Sequence, residues 1–145
     1  MNYENRFIVG LNEMDTVVDF LRQQLSFCRI FAFYGPLGAG KTTLVKRLFK
    51  RLGITDTITS PTFTYLNCYK NKQGQTFYHF DCYRLESLND FLSAGFGEYL
   101  SEGQSWSFIE WPEIIDPILK DKVCKVKIDY HKNPEKRIIR CEIIK

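Results

Sequence analysis

Residues Gly35-Pro36-Leu37-Gly38-Ala39-Gly40-Lys41-Thr42 satisfy the spacing G-x-x-x-x-G-K-[ST] without a gap. At ordinary residue frequencies a chain of this length would contain it by chance on the order of half a percent of the time. Its flanks fit. Ile30 to Tyr34 is an almost wholly apolar run that reads as a buried strand. Leu44, Val45, Leu48, Phe49 and Leu52 then recur at helical spacing, and Gly53 is placed to stop that helix. Strand, glycine loop, helix is the context a phosphate-binding loop requires.

The residue types supply the chemistry. Gly35, Gly38 and Gly40 let the backbone curl until several N–H groups face one anion, and the helix N-terminus adds partial positive charge. Lys41 reaches the β- and γ-phosphates, and the Thr42 hydroxyl suits Mg²⁺. Residues 35–43, Ala39 and Thr43 included, form the expected seat of a nucleoside triphosphate and its magnesium ion.

A length of 145 residues suits one domain, 1–145, with a single core. A composition 44% hydrophobic and 26% charged is that of a soluble globular protein. No apolar run reaches the length of a membrane span, and Met1 to Asn5 is too polar for a signal peptide. The expected location is the cytoplasm, with no membrane partner. Cys28, Cys68, Cys82, Cys124 and Cys141 are scattered without a C-x-x-C pair, so reduced thiols, mostly buried, are expected rather than disulfides or a metal site. A net charge of +3 is too small to argue for nucleic-acid binding.

In chain order, residues 6–10 read as a strand. A helix follows with Val17, Val18, Leu21 and Leu25 on its apolar side and Asn12 or Asp15 as its cap. After the phosphate loop and its helix, Thr57 to Phe63 reads as a strand end passing into a loop. Phe63–Tyr69 and Gln75–Phe80 read as a hairpin around Asn71-Lys72-Gln73-Gly74. Ser87 to Leu100 is helix-like but broken near Gly95 and Gly97. Ser105 to Trp111 is a strand stopped by Pro112, and Glu113 to Leu119 a short helix. Val123–Asp129 and Arg137–Ile144 are two final strands. The expected fold is α/β, a P-loop NTPase-like three-layer arrangement with helices flanking a mixed parallel and antiparallel sheet.

Hydrolysis or transfer needs a metal ligand and a group that orients the attacking atom. Asp81 and Glu110 each end an apolar strand, and ligands of open α/β sheets bind at the carboxyl ends of strands. Either acid could hold Mg²⁺ or orient water. Ser60 and Thr62, in the proline-stiffened Ser60-Pro61-Thr62-Phe63, could sense the γ-phosphate as switch segments do; a plain turn fits equally.

Taken together, these segments resemble the TsaE (YjeE) P-loop ATPases of bacterial tRNA threonylcarbamoyladenosine synthesis. The likeness runs, in order, through residues 37–43, Ser60 to Phe63, His79-Phe80-Asp81-Cys82-Tyr83-Arg84-Leu85 and Ile109-Glu110-Trp111. The resemblance implies weak ATP hydrolysis alone and action with TsaB and TsaD, where hydrolysis drives or resets the complex that modifies position 37 of ANN-decoding tRNAs. It implies Lys41 on phosphate, Thr42 and Glu110 on Mg²⁺, and Asp81 needed for hydrolysis. It also implies a switch at 60–63, with Trp111 beside the nucleotide and Arg137 stacked on the base. Pro36 departs from the family's usual Asp, and the N–H it lacks contributes least to the cradle. A monomer is expected.

Three other readings compete. Nucleoside and nucleotide kinases share the loop, and Asp81-x-x-Arg84 faintly matches their acceptor site, but residues 85–104 hold no arginine for a phosphate-closing lid. A GTPase would need an Asp that Asn71-Lys72-Gln73-Gly74 lacks. A binding module could dock through Phe91, Phe96, Tyr99 and Leu100, although core packing explains those residues as well. The run Lys46-Arg47-Leu48-Phe49-Lys50-Arg51 reads as a solvated face, or as a salt-sensitive contact to tRNA carried by partners.

Overall fold

Alternation along the strands sets the layers. In the computed structural model, which describes residues 3–61 and 63–145, Phe31 and Phe33 of one strand face one side while Ile30 and Ala32 face the other. That strand is β2 (Ile30–Tyr34). With β1 (Tyr3–Gly10), β3 (Leu66–Lys70), β4 (Thr76–Asp81), β5 (Ser105–Glu110), β6 (Val123–Tyr130) and β7 (Lys136–Ile144) it forms one sheet, ordered β1-β7-β6-β2-β5-β4-β3. The central β6, β2, β5 and β4 run parallel. The flanking β7, β1 and β3 pair antiparallel with their neighbours.

Two helices cover the Phe31 face. α1 (Met14–Gln24) buries Val17, Val18 and Leu21; α2 (Lys41–Arg51) buries Leu44, Val45, Leu48 and Phe49. Phe49 meets the rings of Tyr69, Phe77, His79 and Phe108 with centroids 5.6, 6.0, 5.9 and 4.9 Å away. Truncation of such a side chain costs about 3–5 kcal/mol. On the other face, α3 (Leu88–Ser93), α4 (Gly97–Leu100) and the 3-10 segment Pro112–Ile118 cover Ile30, Ala32, Tyr78, Phe80 and Ile109. Phe91 is fully buried there, with Phe96, Tyr99 and Leu100 packed against it, so these four belong to the core.

The three-layer α/β fold with a mixed sheet therefore matches the sequence reading, with local differences. Neither Asn12 nor Asp15 caps α1. A 3-10 turn, Leu11–Glu13, precedes that helix, and the Glu13 carboxylate accepts from Gly10 N at 3.0 Å. Residues 54–61 pair with no strand, and β3 begins at Leu66 rather than Phe63. Proline and hydroxyl residues there favour local turns over a ladder. Thr62 lies outside the described residues. The five cysteines are free, all but Cys68 buried. No described helix is long and apolar enough to cross a membrane.

Candidate functional site

The loop between β2 and α2 turns on its glycines. Gly38 has φ +79° and Gly40 +110°, values a side chain would strain. A Cβ at Gly35 would lie 2.5 Å from the carbonyl oxygen of Ile128 on β6, so this position requires glycine for close approach. Pro36 accepts from Ala39 N at 3.1 Å, closing a four-residue turn that has its positive φ at the third residue. Its missing N–H is not needed there. Two side chains from the last hairpin hold the loop from outside: Tyr130 OH donates to Leu37 O at 2.7 Å and Arg137 Nε to Ala39 O at 3.1 Å.

Lys41 opens α2 with its ammonium folded back over the loop. It donates to Gly35 O, lies 3.5 Å from Pro36 O and stands 3.4 Å from the centre of the Trp111 ring. Burial lowers its pKa from the ordinary lysine value, against the opposing charges of Glu110, Glu113 and Asp81. Burial likewise raises Glu113, with Lys41 acting the other way. Trp111 follows β5 in a left-handed conformation (φ +56°), which turns its indole back toward the loop and against Tyr83, 4.9 Å between ring centres.

Asp81 and Glu110 are directly opposite at the ends of β4 and β5. Two carboxylates so placed repel unless each has its own donors. Asp81 accepts from Tyr83 N at 2.9 Å and from Ser60 Oγ at 3.2 Å. Glu110 accepts from Thr42 Oγ1 at 2.6 Å, and its second oxygen lies 2.6 Å from His79 Nε2. Lys41, Thr42, Thr43, Ser60, Asp81, Glu110 and Trp111 line one cavity of about 380 Å³ with Gly38, Ala39 and Gly40.

A second cavity of about 710 Å³ adjoins it, sharing Gly38, Ala39, Gly40 and Thr43. Gly10 to Met14 forms one wall and Asn133 to Arg137 the other. Sequence reasoning found Arg137 but neither wall, because two irregular segments distant in sequence build it. It also gave no role to His79 and Tyr130; two-residue spacing from Asp81 was the available signal for His79. A third cavity of about 700 Å³, beside Arg29 and Lys122, lies at the opposite ends of the parallel strands and contains none of these groups.

The residues fit a magnesium–nucleotide complex. No group of three or more His, Cys, Asp or Glu able to hold a metal occurs among the described residues. Mg²⁺ characteristically takes only one or two protein ligands beside phosphate and water, and the paired oxygens of Thr42 and Glu110 match that donor set. The first N–H groups of α2 have no carbonyl a turn earlier, as an anion seat requires.

Two alternatives lose support from position. The turn at residues 71–75 lies at the amino end of β4, opposite Asp81, and Asn71 spends its side chain on Leu52 O, Gln75 Oε1 and Gln75 N. It cannot read a base in this site. Arg84 stacks on Phe63, 4.6 Å from its centroid, rather than entering the cavity. Of the basic run on α2, Lys46, Lys50 and Arg51 are exposed, as expected of a solvated face, with Arg51 also pairing with Asp15 and Asp19, while Arg47 is half-buried and donates to Leu11 O.

Comparison with known proteins places this arrangement. The sequence model described as threonylcarbamoyl adenosine biosynthesis protein TsaE matches residues 9–139. Among curated proteins named tRNA threonylcarbamoyladenosine biosynthesis protein TsaE, that of Synechocystis sp. is 40% identical over 74% of this chain and 69% of its own length. The one from Treponema pallidum is 45% identical over 68% of each, and that from Rickettsia conorii 36% identical over 91% of this chain and 73% of its own. The crystal structure of Bacillus subtilis YdiB superposes with a TM-score of 0.72, covering 100% of this chain and 88% of that one at 24% identity, which supports the fold.

Proposed function

The chain belongs to the TsaE family, and on that premise we propose that it is the ATP-binding and ATP-hydrolysing component of the machinery that makes threonylcarbamoyladenosine in tRNA. The observation that carries the catalytic part is the pair of carboxylates ending β4 and β5, facing a phosphate loop whose Thr42 already bonds one of them.

Lys41 exchanges the carbonyls of Gly35 and Pro36 for the β- and γ-phosphates, guided by the N–H groups of residues 38–43. Thr42 and Glu110 would hold Mg²⁺, which when bound would neutralise charge on the phosphates. Asp81, held by Tyr83 N and Ser60 Oγ at the end of β4, orients the attacking water. Ser60 links Asp81 to the 60–63 loop, which is how the γ-phosphate state reaches the surface. The larger cavity takes the nucleoside, with Arg137 on its wall.

The partners are TsaB and TsaD, and hydrolysis drives or resets their complex between cycles; tRNA contact is made through the assembly. The chain acts as a single domain, monomeric by itself, in the cytoplasm. Reconstitution with TsaB, TsaD and unmodified tRNA tests this reading. Repeated rounds of threonylcarbamoyladenosine formation that require this chain and ATP support it. Equal product with and without the chain contradicts it.

A further inference from the structure

Glu110 is set by a residue the mechanism above does not use. His79 lies on β4 two residues before Asp81, and that spacing puts both on the α2 side of the sheet. In register it faces Phe108, so Glu110 is its diagonal neighbour across β4 and β5, within reach of two long side chains. The ring has 0% exposure and packs edge-on to Phe49, centroids 5.9 Å apart at 77°. Its Nε2 is 2.6 Å from Glu110 Oε2. An ionised carboxylate only accepts, so the hydrogen is on Nε2 and His79 donates. Nδ1 meets no partner among the described residues, so a hydrogen placed there would find no acceptor. Among the described residues, this polar ring deep in a phenylalanine-rich core has one polar contact, Glu110.

The geometry points to His79 as the positioning residue for the magnesium ligand: it fixes the Glu110 carboxylate so that Oε1 faces Thr42 and the metal seat. The inference rests on the magnesium–nucleotide reading of the site. Glu110 stands opposite Asp81, and without His79 its carboxylate would be free to swing away from that like charge. One donor on each oxygen, Thr42 on Oε1 and His79 on Oε2, leaves a single orientation. Partners of this kind, behind the metal ligands, typically change metal affinity 10- to 100-fold when removed.

The test compares His79→Phe, His79→Asn and His79→Gln with the wild type. Binding of a fluorescent ADP analogue is followed in EDTA and then across a Mg²⁺ titration, with thermal melting in parallel. For His79→Phe the inference expects cooperative melting, affinity in EDTA within about twofold of wild type, and a Mg²⁺ half-saturation raised about 10- to 100-fold. Gln places its amide near the Nε2 position and should restore Mg²⁺ dependence to within about threefold; Asn, too short to reach Glu110, should not. Where Phe does not fold, the Gln and Asn pair decides. Wild-type Mg²⁺ dependence in a cooperatively melting Phe variant, or identical behaviour of Gln and Asn, overturns the inference and leaves the site reading standing. Wild-type protein whose nucleotide binding ignores Mg²⁺ overturns the site reading, and the inference with it.

Discussion

Thr42 Oγ1 donates to Glu110 Oε1 across 2.6 Å, although 68 residues separate them in sequence. The parallel pairing of β2 with β5 makes this contact, because Phe33 and Glu110 are register partners and the phosphate loop leaves β2 one residue later. The fold itself thus brings together the two groups to which the proposed function gives the magnesium ion.

Glu110→Gln should keep the bond from Thr42 while removing the charge. ATP turnover should fall by about a hundredfold or more, the usual scale for losing a charge-stabilising group, with ADP affinity in EDTA nearly unchanged. Steady-state phosphate release and nucleotide titration check the two halves separately.

Lys41→Ala should abolish productive nucleotide binding without unfolding the chain. The polar contacts of its ammonium are two loop carbonyls and the Trp111 face, so melting should be little altered. Calorimetric titration with ATP and Mg²⁺ reads the outcome.

Asp81→Asn keeps one oxygen to accept from Tyr83 N and turns an NH2 that can donate to Ser60 Oγ, so it preserves both contacts while removing the charge. It should bind ATP within about threefold of wild type and lose about a hundredfold in turnover, within the range for acid–base and positioning groups. Normal hydrolysis would remove Asp81 from its role.

Gly35→Ala should destabilise the protein by about 1–3 kcal/mol, the cost of forcing atoms into a packed site, because its Cβ would meet Ile128 O at 2.5 Å. Urea denaturation measures this.

Alkali should unfold the protein through buried thiols. Burial pushes Cys82 up to about 12, with the Asp81 and Glu113 charges adding to it, and burial pushes Cys28 up to about 11, from the ordinary 9.0. Both values lie above those of the unfolded chain, so the folded state keeps protons that the unfolded chain releases. Their stabilisation is complete below pH 9 and is lost as pH rises through 11 and 12. Melting temperature should fall across that window, and less steeply in Cys82→Ala.

The phosphate loop, the parallel core and both carboxylates were legible in the sequence because each depends on local signals: glycine spacing, apolar runs, an acid where a run ends. Two-residue alternation in β4 even carried the side on which His79 falls. What stayed hidden comes from long-range approach. Tyr130 bonding Leu37, Arg137 bonding Ala39 and the wall formed by Gly10 to Met14 depend on how β1 and the β6–β7 hairpin lie beside the loop. No short window of sequence holds that relationship. The α1 cap was misread because Asn12 and Asp15 are good capping types, whereas a 3-10 turn closed by Glu13 took the position.

The most direct measurement is phosphate release from ATP by the purified protein, alone and with TsaB and TsaD, with a parallel search for phosphorylated nucleosides and sugars. The account predicts slow hydrolysis alone, a marked rise with the two partners, and no phosphorylated acceptor. Rapid transfer to a small-molecule acceptor, unaffected by the partners, would contradict it.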